Sequence, residues 1–335
     1  MGAASATVWR GGEPPMTDDE AGIGPVGAVH VPVMVGEAVE WLRPRPGACL
    51  VDATVGLGGH AAALLAAAPD TRLLGLDRDP HALRRAAERL APWGERVVLR
   101  RASFADVAGE LAAVGWDGAD GMLVDLGVSS LQLDDVARGF SFRAAGPLDM
   151  RMDPDAPASA ADVVNRWDEG DLARVIREYG EEPRARAVAR AIVRARPLAT
   201  TTALAEVVRR VLGRGRPGLD PATRTFQGIR IAVNDELRAL DALLADGWRL
   251  LRPGGRLAVL AYHSLEDRPV KEAFRRWAAR CLCPPNVVRC VCGWSAKVRV
   301  LTPRPLRPAA EEIARNPRSR SARLRVVERL EPDAA

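Results

Sequence analysis

The sequence predicts an α/β protein whose doubly wound sheet is interrupted by an inserted all-helical domain. From Gly47 onward, short apolar runs alternate with helical stretches, which is typical of a parallel sheet with crossover helices. Between about 135 and 245 only helical periodicity is found, and strand patterns return near Arg256. A chain of 335 residues is also too long for one ordinary core, so two lobes are expected.

Four short apolar runs, each bounded by glycine or charge, are predicted to be the first four strands. In chain order they are Cys49-Leu50-Val51, Leu73-Leu74-Gly75-Leu76, Val97-Val98-Leu99 and Met122-Leu123-Val124. The segments Ala61 to Ala68 and Pro80 to Leu90 lie between the first three runs and carry alanine and leucine at helical spacing. We expect them to be crossover helices.

The middle of the chain is predicted to contain helices alone, and one long helix is expected from Phe226 to Trp248. After the turn Pro253-Gly254-Gly255, the last strands are expected at Arg256 to Tyr262, Lys297 to Leu301 and Leu324 to Val327. The predicted divisions are a disordered leader (1–28), a sheet domain in two parts (29–135 and 246–330), the helical domain (136–245) and a tail (331–335).

Composition limits the classes of partner. The net charge of +5 suits a polyanion, and Lys271 and Lys297 are the only lysines, so arginine carries nearly all the positive charge. A coding bias toward arginine and alanine explains this as well as RNA binding does. No apolar run is long enough to span a membrane, and the leader lacks the apolar centre of a secretory signal. We therefore expect a cytoplasmic protein without a membrane partner.

Five cysteines fall into two groups. Cys49 precedes a predicted strand and is expected to be a buried thiol. The other four, Cys281, Cys283, Cys290 and Cys292, form the pattern C-x-C-x6-C-x-C. A small zinc site and a reduced loop without metal are both compatible with this pattern. Because the spacing is closer than the C-x2-C of usual zinc ribbons, the loop without metal is preferred and no metal is assigned.

A glycine turn follows the first predicted strand. Its pattern Gly56-x-Gly58-x-x-Ala61 allows a tight bend and lets a ligand approach the backbone at the start of a helix. Asp77 lies about 20 residues further on, at the end of the second strand, where a carboxylate can bind ribose hydroxyls. Taken alone, this combination fits both NAD and S-adenosylmethionine.

Two further features favour S-adenosylmethionine. Asp52 stands four residues before Gly56, which gives the D-x-x-x-G-x-G pattern typical of class I methyltransferases. A carboxylate at that position would repel a pyrophosphate but can support a ligand with an amino group and a sulfonium. The turn Pro253-Gly254-Gly255 before an apolar strand is likewise familiar from methyltransferases.

Asp125 ends the fourth predicted strand. The carboxyl ends of parallel strands face the ligand crevice, so its side chain is expected to contact cofactor or substrate. Many amino-group methyltransferases carry D-P-P-Y or N-P-P-Y here, and that motif is absent.

The chain resembles the bacterial 16S ribosomal RNA cytosine-N4 methyltransferases, the RsmH or MraW family, from about His30 to Arg329. The segments that carry the resemblance include Thr54-Val55-Gly56-Leu57-Gly58-Gly59-His60, Asp125-Leu126-Gly127-Val128-Ser129-Ser130, Arg138-Gly139-Phe140-Ser141-Phe142, Gly146-Pro147-Leu148-Asp149-Met150-Arg151-Met152, His263-Ser264-Leu265-Glu266-Asp267-Arg268 and Asn316-Pro317-Arg318-Ser319-Arg320-Ser321. The resemblance implies a Rossmann-like class I methyltransferase sheet, S-adenosylmethionine as the methyl donor, and 16S rRNA or the 30S subunit as the partner. It leaves a homodimer open.

The resemblance also implies a set of site residues. The donor contacts would be Gly58, Gly59, His60, Asp77, Phe104, Asp125 and Gln132. For the methyl acceptor, Asp125 with the carbonyls of Leu126 and Gly127 is the candidate that draws on the amino protons. His263 would line the target pocket with Ser264, Glu266 and Asp267, or these residues form a structural network. Candidate phosphate contacts are Arg138, Arg143, Arg151, Arg224, Arg318 and Arg320.

Two other functions are weighed against this one. An NAD-dependent dehydrogenase would use the same glycine turn, and a non-enzymatic RNA-binding protein could keep a vestigial nucleotide pocket. Affinity for S-adenosylmethionine against NAD separates the first alternative, and methyl transfer separates the second.

Overall fold

One sheet of seven strands organises the computed structural model, which describes residues 32–213, 215, 220–284, 286–287 and 289–331. The predicted leader at 1–28 lies outside these residues, as does most of the predicted tail. The strands are β1 (Cys49–Asp52), β2 (Arg72–Asp77), β3 (Val97–Arg101), β4 (Ala119–Asp125), β5 (Leu251–Ala261), β6 (Val298–Val300) and β7 (Arg323–Arg329). All seven predicted strands are confirmed, although β5 begins earlier than expected and takes in the predicted turn at 253–255.

The strand order is β3-β2-β1-β4-β5-β7-β6. The pairs from β3 to β5 are parallel, and β7 runs antiparallel to both β5 and β6. The chain starts at β1 in the middle of the sheet, moves outward to β3, and returns to β4 on the other side of β1. This reversal places a ligand crevice at the carboxyl ends of β1 and β4.

Thirteen helices are found in the described part of the chain. Those around the first four strands are α1 (Val35–Leu42), α2 (Gly59–Ala67), α3 (Pro80–Leu90), α4 (Val107–Ala113) and α5 (Ser130–Asp134). The helices that follow, up to β5, are α6 (Ala160–Arg166), α7 (Glu169–Glu178), α8 (Ala185–Arg194), α9 (Thr201–Leu212), α10 (Ala222–Asn234) and α11 (Glu236–Asp246). The last two are α12 (Ser264–Ala278) and α13 (Ala310–Arg315).

Apolar clusters cover both faces of the sheet. Successive strand side chains point to opposite faces, so Leu73 joins the cluster with α1, α2 and α3, while Leu74 joins the cluster with α4, α11 and α12. Both leucines are fully buried. Since each buried leucine contributes about 1.5–3 kcal/mol, this double cover fixes the sheet firmly.

The helices from α6 to α10 share a third apolar cluster, which includes Val163, Ile176, Ile192, Leu204 and Ile229. Within the described residues between β4 and β5, no strand of the sheet interrupts them. The predicted fold class, a Rossmann-like sheet with an all-helical insertion, is confirmed. The domain boundaries themselves stay a prediction.

The single helix predicted from Phe226 to Trp248 was wrong. The chain breaks at Asp235, which has a left-handed backbone with φ of 50°. The buried side chain of Asn234 sets the break, because it donates to Met150 O at 2.7 Å and accepts from Met152 N at 2.7 Å. The apolar spacing runs on across the break, but α10 packs into the helical cluster and α11 packs against the sheet.

None of the helices in the described ranges is long and apolar enough to cross a membrane.

Candidate active site

A cavity of about 360 Å³ opens at the carboxyl ends of β1, β2, β4 and β5. This size lies within the range of small-ligand pockets. The structure brings most of the predicted site residues to its wall: Gly59, His60, Asp77, Phe104, Asp125, Gln132 and His263. Gly58 does not line the cavity, and lies at the start of α2 just behind the turn.

The turn after β1 needs its glycines for backbone reasons. Gly56 and Gly58 have φ of 50° and 75°, a left-handed region that costs other residues about 1–2 kcal/mol. A Cβ at Gly59 would overlap the ring of Pro32. Gly56 also donates its N–H to Asp77 Oδ2 at 2.9 Å, so the turn and the end of β2 are tied together.

Asp77 is held rigidly at the cavity wall. Its second oxygen, Oδ1, accepts the backbone N–H of Asp79 at 2.9 Å. Burial raises the pKa of Asp77 to about 6, although hydrogen bonds from the Asp79 and Gly56 backbones oppose the shift. Each carboxylate oxygen keeps further acceptor capacity, which suits it to a ligand with paired hydroxyls.

Asp52 lies beneath the turn rather than on the cavity wall. Its side chain is 1% exposed, and Oδ1 accepts only the Thr54 N–H at 3.3 Å. Oδ2 has no hydrogen-bond partner within the described chain. Burial raises the pKa of this carboxyl to about 7, while the nearby His60 opposes the rise. An orphaned carboxylate under the turn favours cationic ligands and disfavours a pyrophosphate.

Asp125 stands at the centre of a polar cluster. Its Oδ1 accepts the Tyr262 hydroxyl at 2.7 Å, and its backbone N–H donates to Thr54 Oγ1 at 2.7 Å. His60 Nδ1 lies 3.8 Å from Asp125 Oδ2, and His60 Nε2 lies 2.9 Å from Val33 O. Because a carbonyl can only accept, Nε2 carries the proton of a neutral His60. Burial raises the pKa of both Asp125 and Tyr262, so Tyr262 stays a hydroxyl donor at neutral pH.

His263 forms a second polar group on the same wall. Its Nε2 lies 3.0 Å from Glu266 Oε1, an ion-pair distance, but neither of its buried ring nitrogens forms a hydrogen bond within the described residues. Glu266 Oε2 accepts the Tyr262 N–H at 2.7 Å. Burial opposes ionisation of Glu266, but its interactions with His263 and Arg230 outweigh burial and lower its pKa. The ionised Glu266 thus lies beside an imidazole whose Nδ1 is available to a ligand.

The other two residues predicted with His263 are engaged elsewhere. Ser264 donates to Glu181 in the helical part. Asp267 accepts from Arg323 at 2.8 Å and from Arg325 at 2.7 Å, which ties α12 to β7. Neither lines the cavity. The structural network is therefore the correct alternative for Asp267, whereas Glu266 faces the pocket as predicted.

Gln132 reaches the cavity wall but is already committed to hydrogen bonds. Its Oε1 accepts the Ser129 N–H at 3.0 Å in a capping box at the start of α5. Its Nε2 donates to Asp79 Oδ2 at 3.1 Å. Gln132 therefore shapes the loop after β4. Its predicted contact with the methyl donor stays a prediction.

Two of the six candidate phosphate contacts are internal. Arg138 donates to the fully buried Asp79 at 2.7 Å and to the carbonyl of Arg151 at 2.9 Å. Arg151 itself grips Asp149 through two hydrogen bonds of 2.9 and 2.7 Å. These two arginines brace the loop between β4 and α6 and are not available to RNA. The other four, Arg143, Arg224, Arg318 and Arg320, are on the surface.

The sequence analysis missed Tyr262 and the pair of Arg230 and Glu236, all of which line the cavity. Arg230 binds Glu236 through two hydrogen bonds of 2.8 Å across the break between α10 and α11. Tyr262 could have been found, since it follows β5, the parallel neighbour of β4, and so ends beside Asp125. The Arg230 pair had no such pattern, because the break that brings it to the cavity was not predicted.

Comparison with known proteins shows the family of this chain. The chain matches the MraW methylase family over residues 27–330. A Ribosomal RNA small subunit methyltransferase H from Thermomicrobium roseum is 53% identical over 313 residues, covering 92% of this chain and 96% of that protein. Proteins of the same name from Symbiobacterium thermophilum and Geobacter sulfurreducens are 52% and 51% identical, and cover 90% of this chain and 97% and 99% of their own lengths. The chain therefore belongs to the MraW methylase family.

Proposed function

We propose that this protein transfers the methyl group of S-adenosylmethionine to the exocyclic N4 of a cytidine in the decoding region of small-subunit rRNA. The observation that carries the proposal is one cavity lined both by Asp77 and Phe104, which suit a nucleoside, and by the polar residues Asp125 and His263. The family and the names of the relatives support the same reaction. Such an enzyme would act in the cytoplasm, where bacteria make ribosomal RNA.

The residues present fit the methyl donor. Asp77 would bind the ribose hydroxyls, and Phe104 would lie beside the adenine. The glycine turn would let the ligand approach the backbone closely. The unpartnered Oδ2 of Asp52 lies beneath that turn, where a positively charged ligand would favour the ionised carboxylate. When bound, S-adenosylmethionine supplies an electrophilic methyl group on a positively charged sulfur. An ionised Asp52 would repel the negatively charged pyrophosphate of NAD.

The acceptor amine needs help from the protein, because the N4 lone pair is delocalised into the cytosine ring. An acceptor that takes up an N4 proton as the new bond forms makes the nitrogen a better nucleophile. His263 Nδ1 is suited to this role, since the carboxylate of Glu266 lies 3.0 Å from the opposite nitrogen and Nδ1 has no hydrogen-bond partner in the described chain. Asp125, oriented by Tyr262, would hold the second N4 proton. Positioning in the pocket supplies much of the remaining rate.

The helical part is proposed to hold the RNA. Arg143 is exposed there, and the side chain of Arg224 is 43% exposed. Arg318 lies at the cavity itself, where its Nη1 donates to Asp134 Oδ2 at 3.1 Å. A target cytidine has to leave its stack to enter such a pocket, and arginines at the rim can hold the neighbouring phosphates. Naked 16S rRNA and the 30S subunit both stay predicted substrates, and a homodimer stays a prediction.

Methyl transfer tests the proposal directly. Purified protein is incubated with radiolabelled S-adenosylmethionine and either 16S rRNA or 30S subunits that lack the modification, and the nucleosides are identified by mass spectrometry. N4-methylcytidine is expected, and transfer to one substrate only would identify the natural one. Calorimetry with S-adenosylhomocysteine and with NAD tests the donor site. Tight binding of NAD alone, or methyl transfer to another atom, would contradict the proposal.

One variant and its control test the role of His263 as the proton acceptor. His263→Gln is expected to lower kcat by about 10²–10⁴-fold while S-adenosylhomocysteine affinity stays near wild type, because proton transfer is lost and the donor site is not. His81→Gln, on the exposed face of α3, is the matched control and is expected to keep full activity. Equal activity of the two variants would exclude His263 as the proton acceptor.

A further inference from the structure

The loop between α12 and β6 contains a cluster of four sulfurs that the proposed reaction does not use. The Sγ atoms of Cys281, Cys283, Cys290 and Cys292 all lie within 4.8 Å of one another. Cys281 Sγ is 3.4 Å from Cys290 Sγ and 3.7 Å from Cys292 Sγ. Cys283 Sγ is 3.9 Å from Cys290 Sγ, and the Sγ atoms of Cys290 and Cys292 are 3.5 Å apart.

These distances match a tetrahedral metal site. With a zinc–sulfur bond of about 2.3 Å, the sulfurs of a regular tetrahedron are about 3.8 Å apart. The four separations of 3.4, 3.7, 3.9 and 3.5 Å lie around that value. A disulfide needs about 2.05 Å, so none of the pairs is bonded, and all four cysteines are free. The sequence analysis preferred a loop without metal, but short C-x-C spacing still brings the sulfurs to one point.

Backbone N–H groups point at the same sulfurs. Leu282 N lies 3.4 Å from Cys292 Sγ, and Val291 N lies 3.4 Å from Cys283 Sγ. The N–H of Cys283 donates to Cys281 Sγ at 3.3 Å. Hydrogen bonds to the ligand atoms stabilise thiolates and fix their direction toward a metal. Two neutral thiols in contact would gain little from this arrangement.

The loop has no apolar core that could hold it in this shape. None of the described residues between 279 and 297 belongs to a helix or a strand, and none of them is buried. The apolar side chains of Leu282, Val287 and Val291 are 42%, 37% and 81% exposed. The base of the loop is closed by Trp294, whose Nε1 donates to Ala279 O at 3.0 Å. That hydrogen bond holds the base of the loop, but neither it nor hydrophobic burial accounts for the shape of the tip, where another source of folding energy is required.

We propose that Cys281, Cys283, Cys290 and Cys292 bind one Zn²⁺ ion that folds the loop between α12 and β6. The thiols lose their protons to solvent as the four zinc–sulfur bonds form. The site is structural, because four protein ligands leave no open position for a substrate. It is also remote from the cavity: α12 begins next to His263 and is 15 residues long, which separates the two sites by about 22 Å along the helix. The ion thus pins the loop that leads to the edge strand β6.

Metal analysis of the full-length protein, purified without a histidine tag, tests the proposal. Elemental mass spectrometry is expected to find about one zinc ion per chain. Replacement by Co²⁺ is expected to give the visible absorption of a tetrahedral thiolate complex. The double variant Cys281→Ser/Cys290→Ser is expected to lose the metal, whereas Cys49→Ser, at the buried thiol in β1, is expected to keep it.

A second measurement on the wild-type protein avoids any folding defect of the variant. Removal of zinc by a chelator is expected to open the segment 279–297 to limited proteolysis, and added Zn²⁺ is expected to restore protection. S-adenosylhomocysteine affinity is expected to change less than threefold, because the cavity lies at the other end of α12. The proposal is overturned if reduced protein takes up no Zn²⁺ while all four thiols react freely, if iron occupies the site instead, or if the double variant retains zinc.

Discussion

Replacement of Asp52 by asparagine is expected to make the free protein more stable at neutral and alkaline pH. In the folded protein burial raises the pKa of this carboxyl to about 7, from an ordinary value of 3.8. Folding therefore favours the protonated form. The contribution of this carboxyl to the free energy of unfolding is fully present below about pH 4 and is lost as the pH rises through about 7. At roughly 1.4 kcal/mol per pH unit, the loss is about 4 kcal/mol.

Asparagine isolates that loss because it keeps the shape of the side chain without its charge. Its oxygen can still accept the Thr54 N–H that Asp52 Oδ1 accepts at 3.3 Å. Asp77 titrates in the same direction, so wild-type stability alone would mix the two groups. The difference between variant and wild type removes the contribution of Asp77. That difference is expected to be about 2–3 kcal/mol larger at pH 8 than at pH 5.

Urea unfolding at the two pH values measures this difference, with no ligand present. Asp241→Asn, at an exposed position of α11, is the matched control and is expected to show no pH-dependent gain. A variant-minus-wild-type difference that is equal at pH 5 and pH 8 would refute the reasoning. The gain is expected to come with weaker binding of S-adenosylmethionine, because the charge beneath the turn is lost.

Four further substitutions, of which Gly47→Ala is a control, test single residues. Tyr262→Phe removes the 2.7 Å hydrogen bond to Asp125 and is expected to cost about 1–3 kcal/mol in urea unfolding and to lower methyl transfer. Gly58→Ala and Gly47→Ala, with φ of 75° and 74°, are each expected to lose about 1–2 kcal/mol, but only the first is expected to weaken S-adenosylhomocysteine binding in calorimetry. Arg138→Ala is expected to destabilise the protein by about 3–5 kcal/mol, since it leaves the buried carboxylate of Asp79 without its cationic partner; a change in RNA affinity alone would contradict this role.

The strands could be predicted because their local pattern and their tertiary role agree. The run Leu73 to Leu76 is apolar on both sides since both faces of β2 are covered, and glycine or charge marks its ends. The break at Asp235 could not be predicted in this way. It depends on the side chain of Asn234 reaching two backbone groups more than 80 positions earlier in the chain. Helical periodicity contains no information about such a contact.

The candidate site follows the same division. Asp77 and Asp125 were found because the ends of parallel strands meet at one edge, a rule that needs only the strand assignments. Arg138 was misassigned because an arginine in a polar loop is the same in sequence whether it faces phosphate or a buried acid. Only the fold shows that Asp79 is the partner, at 2.7 Å. Charge in a sequence identifies the chemistry of a side chain, whereas its partner is a property of the fold.

The left-handed residue Asp235 is the whole connection between α10 and α11. One residue separates a helix that belongs to the helical core from a helix that belongs to the sheet, and Arg230 and Glu236 clasp each other across it at the cavity. Because only Asp235 separates the two helices, a change in the angle between α10 and α11 would move Arg230 and Glu236 at the cavity wall. If the proposed RNA binds to the helical part, its binding would therefore be sensed directly at the pocket.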